Sequence, residues 1–231
     1  MDILKTVEKI APQRRKMSYE EYLKFAGDTQ IVEWVAEEAI SYMPPTDTHQ
    51  DLSGFLSTLL QLFVQFFELG VLRYAPFEVK LWSEGPAREP DILFIANKNL
   101  VNLGERRFAG APDLIIEIIS PSSAGEDRGR KFTQYEQAGV REYWLIDPRP
   151  RQQQADFYVL GSDGNYHTVP LTTEGRYQSL VLTNFWLDLD WLGQDALPNP
   201  QRAFAEIMVS IEGLPPEVKT IYQALLSYLS K

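Results

Sequence analysis

The run Leu114-Ile115-Ile116-Glu117-Ile118-Ile119 sets the first condition on how this chain folds. Apolar residues without alternation make a strand covered on both faces. Such strands belong to sheets enclosed between other layers. The carboxylate in the middle is the anomaly, because burying an uncompensated charge is costly. Glu117 must therefore be paired, protonated or placed on a cation. Two readings stand side by side. Glu117 forms a buried ion pair with an arginine and Asp91 is a strand-entry cap, or the two carboxylates share an oxygen-donor cation site. Asp91 follows Pro90 at the mouth of the apolar run at 91–96, and adjacent strands bring such residues together.

Composition narrows the second reading. The chain has no cysteine and only His49 and His167, which removes thiolate sites, disulfides, iron–sulfur clusters and a His-rich zinc centre. A bound metal is then held mainly by oxygen, as Mg²⁺ or Mn²⁺ is. The net charge of −10 argues against a protein that coats nucleic acid non-specifically, although one basic face remains compatible with it. The first residues lack a signal-peptide apolar core, which predicts a cytoplasmic protein. The apolar stretch at 52–69 is broken by Ser53, Ser57, Gln61, Gln65 and Glu68, so it is an amphipathic helix and not a membrane span.

The pattern along 231 residues predicts an α/β protein. Ser18 and Glu21 form a capping box for a helix over Tyr19–Phe25 after a short arm. Strands at 31–35 and 39–43 form a hairpin around Ala36-Glu37-Glu38. A helix runs from Asp51 and stops at Gly70, with Phe63, Phe66 and Phe67 as core residues. Strands follow at 71–82, 91–96, 114–119 and 142–146, with a helix over 128–139 between the last two. A hairpin turns at Ser162-Asp163-Gly164, and β-like runs at 177–182 and 185–189 extend it. The domain is expected over 17–192, and 193–231 is expected as a C-terminal helical appendage.

Lys131 and Tyr135 are four residues apart and share a helix face. If that face looks back at the strand ends, an ammonium joins two carboxylates and a cation. These are the parts that activate water and neutralise a phosphorane. A solvated basic helix start is the alternative. Tyr135 orients Lys131 or packs, and His49 touches the site or caps the long helix.

Several segments together resemble the Uma-type restriction endonuclease family of the PD-(D/E)xK superfamily. They are Met17-Ser18-Tyr19-Glu20-Glu21-Tyr22, residues 40–45 with His49, Glu89-Pro90-Asp91, Glu117-Ile118-Ile119-Ser120-Pro121-Ser122, residues 131–135, and the stretch from Gly139 to Pro148. The resemblance covers roughly residues 17–190. It implies a restriction-endonuclease-like core with a central mixed sheet flanked by helices, continued by β structure. It also implies Asp91 and Glu117 as metal ligands, with the Ile118 carbonyl as a further one and Glu33 as a third acidic residue. The superfamily lysine belongs two positions after the acid, where this chain has Ile119, so Lys131 is the expected substitute.

The resulting expectation is an Mg²⁺- (or Mn²⁺-) dependent endonuclease acting on DNA. The rival is an inactive binding or assembly module with the same fold. The segment from Arg128 to Arg151 is net positive and is either a phosphate-facing rim or local compensation. Apolar residues from Trp186 to Leu229 predict a homodimer, with packing on the chain's own domain as the alternative.

Overall fold

The structure, a computed structural model, describes residues 12–26, 31–149, 154–193 and 196–229. The arm before residue 12 and Arg151 lie outside these residues. From the amino end come β1 (Gln13–Lys16), α1 (Tyr19–Phe25), β2 (Val32–Val35) and β3 (Glu38–Ser41). Ser18 and Glu21 close the capping box on α1. Glu38, expected in the hairpin turn, already belongs to β3; Ala36 and Glu37 make the turn with positive φ.

The helix expected from residue 51 begins earlier, as α2 (Asp47–Phe66). Its cap is Thr46, whose Oγ1 accepts from the His49 N–H at 3.3 Å. His49 is therefore not the cap, and its imidazole is free for another role. Residues 71–82 form two strands and not one, because Pro76 cannot donate to a ladder. They become β4 (Gly70–Tyr74) and β5 (Glu78–Lys80), in different sheets. Gly70 opens β4 where only glycine fits, since a Cβ there would stand 2.1 Å from the Ile95 carbonyl oxygen.

Next come β6 (Ala87–Arg88), β7 (Ile92–Ala96), β8 (Arg107–Ala109) and β9 (Leu114–Ile118). The helix expected over 128–139 begins as a π-helical turn, Glu126–Lys131, before α3 (Phe132–Ala138). Gly139 ends it with φ of 89°. The chain continues through β10 (Glu142–Asp147), β11 (Gln154–Leu160), β12 (Tyr166–Thr168), β13 (Arg176–Gln178) and β14 (Trp186–Asp188). It ends in α4 (Leu189–Leu192), α5 (Pro200–Ser210) and α6 (Pro216–Leu229).

The α/β class holds, with twelve strands in two mixed six-stranded sheets and β13 paired with β14 in a third, two-stranded one. One has the order β1-β3-β2-β6-β5-β8 and the other β12-β11-β10-β9-β7-β4. In the second, β9 runs parallel to β10 and antiparallel to β7. Ile92 pairs with Ile116, so one further step sets Asp91 opposite Glu117. Leu114, Ile116 and Ile118 face the core shared with α2. Ile115 and Ile119 face a second core with Tyr135, Tyr143 and Leu145. Period-two alternation puts Glu117 on that second face, beneath α3.

The C-terminal segment is not loosely attached. Ala203, Phe204, Ile207 and Met208 of α5 belong to the core that contains α2, and the Phe66 ring meets Phe204 and Tyr222. The alternative to dimerisation, packing on the chain's own domain, thus accounts for α5. Ile221 and Tyr228 of α6 stay exposed. Among the described residues, no helix is long and apolar enough to cross a membrane.

Candidate active site

Glu117 is buried, and both of its hydrogen bonds come from the helical segment above it. Lys131 Nζ donates to Oε1 at 3.0 Å and the Tyr135 hydroxyl donates to the same oxygen at 2.7 Å. The i,i+4 spacing of the two donors makes this possible, with the π-helical turn carrying Lys131 and α3 carrying Tyr135. Among the described residues, no hydrogen bond reaches Glu117 Oε2.

Lys131 Nζ also lies 3.1 Å from Glu33 Oε1 and 3.1 Å from Asp127 Oδ1. Three carboxylates from β2, β9 and the π-helical turn therefore converge on one buried ammonium. Glu33 is held from its other side by Arg88, at 2.6 Å, and by the Tyr42 hydroxyl at 2.8 Å. Arg88 is itself fully buried and bonds to Gln134 Oε1 at 2.9 and 2.7 Å. The arginine pair foreseen for Glu117 exists in this structure, but its carboxylate is Glu33.

Asp91 enters from the next strand. Its Oδ2 accepts the Ile118 N–H at 2.7 Å, which ties the mouth of β7 to the end of β9. Its Oδ1 faces His49 Nε2 at 3.3 Å. Burial works against a charged imidazole here, but the Asp91 carboxylate and the Ile118 backbone outweigh it and raise the His49 pKa.

Charge counting explains the electrostatics of the centre. Arg88 and Lys131 supply two cations against Glu33, Glu117 and Asp127. Burial disfavours the Glu33 anion, yet Lys131 and Arg88 overcome this and hold it at about 2. Burial pushes Glu117 well above the carboxylate range; Lys131 opposes this, while Asp127, Asp91 and Glu33 reinforce it. Asp127 is raised for the same first reason, burial. Neither of its oxygens has an aligned hydrogen-bond partner among the described residues. Lys131 is raised in turn, because three carboxylates outweigh the burial that would neutralise it. Three carboxylates against two cations leave excess negative charge in this interior, which opposes the ionisation of all three.

Asp91, Glu117, Lys131, His49, Glu89 and the Ile118 main chain line one cavity of about 50 Å³. That volume admits an ion with a water or two, and no nucleotide. The donors available to an ion are hard oxygens, which fit Mg²⁺ or Mn²⁺. Among the described residues, no group of three His, Cys, Asp or Glu side chains is placed to hold a metal ion by itself. The fit is thus to a two-carboxylate site completed by water.

The residues singled out in the sequence are brought together: Asp91, Glu117, Ile118, Lys131, Glu33, His49 and Tyr135 all lie in or against this centre. His167 is remote, bonded to Asp163 in an exposed hairpin. Arg88, Glu89 and Asp127 went unassigned. Glu89 is raised to about 8, first by burial, and accepts the Val32 N–H at 3.0 Å. The signal for Asp127 and Lys131 was their own i,i+4 spacing. Arg88 and Glu89 adjoin Pro90-Asp91, but the chain order gives no sign that β6 carries them inward. The basic stretch from Arg128 is matched locally: Arg128 meets Asp156 at 2.7 Å, Arg149 meets Asp147 at 2.7 Å, and Arg141 lies 3.6 Å from Asp113.

Residues 19–190 match the model of the Uma2 family, described as "Putative restriction endonuclease". The chain belongs to the Uma2 family. The chain is similar to the "Uncharacterized protein sll1609" of Synechocystis sp. (strain ATCC 27184 / PCC 6803 / Kazusa). It is 32% identical over 124 residues, covering 52% of this chain and 67% of that protein. The fold is similar to the crystal structure of "a putative nuclease belonging to DUF820" from Anabaena variabilis ATCC 29413. The TM-score is 0.56 with 18% identity, over 75% of this chain and 95% of the other. Family and fold therefore agree, and the Uma2 match spans every strand that contributes to the centre.

Proposed function

We propose that this Uma2 protein is an Mg²⁺- or Mn²⁺-dependent nuclease that hydrolyses DNA phosphodiesters at the Asp91–Glu117–Lys131 centre. The observation that carries the reading is Lys131: its ammonium lies 3.0 Å from Glu117 in the cavity that also contains Asp91. The lysine absent from position 119 is replaced in space by one from the following helical turn. Asp91, Glu117 and the Ile118 carbonyl would hold the cation. When bound, the cation would supply Lewis acidity toward the phosphate and acidify water beside it.

The protein's own groups do the rest. Glu33, Asp127 and Glu117 fix Lys131 as an ammonium aimed at the cavity, where it stabilises charge developing on the phosphate oxygens. The Tyr135 hydroxyl and Lys131 bind Glu117 Oε1 and leave Oε2 toward the cavity. The Ile118 N–H orients Asp91, and His49 reads its other oxygen. Arg88 neutralises Glu33 so that Lys131 is not wholly consumed by one partner. A cytoplasmic homodimer belongs to the same reading; the exposed Ile221 and Tyr228 of α6 support the second copy, and the location rests on the sequence alone.

The second reading, a binding module without turnover, is favoured by the three carboxylates that already occupy Lys131. Titrating Mg²⁺ and Mn²⁺ into the protein with plasmid and linear DNA separates the two. Cation-dependent cleavage that disappears in Asp91→Asn supports the nuclease. Cleavage unaffected by Asp91→Asn, or absent with both cations, rejects it.

A further inference from the structure

A second groove adjoins the small cavity and is unused by the chemistry above. Its volume is about 500 Å³, and it shares Ile31, Tyr42, Met43 and Pro45 with the cavity that contains Asp91 and Glu117. That size falls within the roughly 300–1,000 Å³ of small-molecule sites. None of its described lining residues bears a formal charge. In a protein of net charge −10, with a charged centre next door, this neutrality is informative. A phosphate, carboxylate or metal ion inside the groove would find no counter-charge among the described lining residues.

The walls instead combine flat apolar surfaces with neutral hydrogen-bonding edges. Phe25, Met43 and Pro76 supply the first; Gln13, Ser41 and Gln50 supply the second. A nucleobase has the matching properties: it is uncharged and planar, and carries donors and acceptors on its rim. Glutamine amides read base edges, and aromatic rings stack on base faces. Phe25 is exposed, and the Arg15 guanidinium lies 5.5 Å from its ring centroid. A sugar–phosphate strand leaving the groove would meet that cation at the rim, while the base remained on neutral ground. Only an unpaired base presents both face and edge in this way.

We propose that this groove binds an unpaired nucleobase, and that the phosphate next to it is the one presented to Asp91, Glu117 and Lys131. Binding of the base stands on the groove alone; the role of the neighbouring phosphate rests on the nuclease reading. Single-stranded or locally opened nucleic acid is then the preferred substrate class.

Met43 makes the binding observable without catalysis. The chain has four methionines, and Met17 and Met208 are buried elsewhere, so methyl-labelled methionine gives one reporter in the groove with internal controls. The probe is the dinucleotide d(TpT), added to the 231-residue chain without divalent cation. The Met43 methyl should shift in a saturable way while Met17 and Met208 do not. The abasic counterpart of d(TpT) should leave Met43 unmoved. Phe25→Ser should weaken binding about tenfold, and Gln50→Ala about threefold, as expected for losing a stack or an edge contact. A saturable Met43 shift in a protein that cuts no DNA upholds the groove and rejects the nuclease. Asp91-dependent cleavage with an unmoved Met43, or equal response to d(TpT) and its abasic counterpart, overturns the groove and leaves the nuclease intact.

Discussion

Two buried glutamates on neighbouring parallel strands show what distinguishes a site from a staple. Glu142 of β10 accepts five hydrogen bonds, all from neutral donors: Trp144 Nε1, the Tyr177 hydroxyl, Ser179 Oγ, and the N–H groups of Leu180 and Val181. Both oxygens are used, and the result is that the 177–181 segment is fastened to the sheet. Glu117 of β9 concentrates its two bonds on one oxygen, shares its lysine with two other carboxylates, and borders a cavity. Burial is nearly the same for both, at 0% and 3% exposure. A fully satisfied carboxylate holds structure; one left half-satisfied among excess negative charge is open to a cation.

Substitution should separate the two residues. The largest effect is expected from Glu117→Gln in a cleavage assay with Mg²⁺: a loss of about a thousandfold, roughly 4 kcal/mol. Its melting temperature should equal or exceed that of the native protein at alkaline pH. The sign follows from the raised Glu117 pKa. The folded state binds an extra proton, so its contribution is complete below the unfolded carboxylate range and is lost as pH rises through the folded value. The amide has no such loss.

Glu142→Gln should do the opposite. It turns an amide N–H₂ toward donors and costs about 3 kcal/mol of stability, a fall in melting temperature of roughly 6–12 °C with little change in cation binding. A Glu142→Gln protein with native melting and no cation uptake would invert the comparison. The smallest effect is on pH dependence. Because Glu117 must release its proton to bind a cation, Mn²⁺ affinity should rise with pH, by at most about tenfold per unit, until the folded Glu117 pKa is passed. Affinity that falls with rising pH would show that Glu117 is not the titrating ligand.

The same two glutamates mark how far the sequence could be read. Glu117 stood out because nothing but apolar residues surrounds it, and Lys131 and Tyr135 followed from helical spacing. Glu142 opens its strand beside Tyr143 and Trp144 and carries no comparable signal, and its five donors give it a structural role. Unbroken apolar runs and turn chemistry located most strands, and helical spacing located the long helix α2. They did not show that residues 71–82 divide between two sheets, since the sheet assignment depends on pairing with β7, β6 and β8, remote in sequence. Arg88 was invisible for the same reason: only the assembled first sheet brings β6 against β2 and Glu33. Thr46 caps α2, whereas the apolar stripe beginning at Leu52 puts the expected helix boundary past it. The π-helical turn that carries Asp127 and Lys131 has no such signature.

Calorimetric titration of Mn²⁺ into the native protein, Asp91→Asn, Glu117→Gln and Glu142→Gln, at one mildly alkaline pH, tests the contrast most directly. One site per chain is expected in the native protein and in Glu142→Gln, and none in Asp91→Asn or Glu117→Gln. Native-like Mn²⁺ binding in Glu117→Gln, with folding intact, would contradict the assignment of the cation site to this half-satisfied carboxylate.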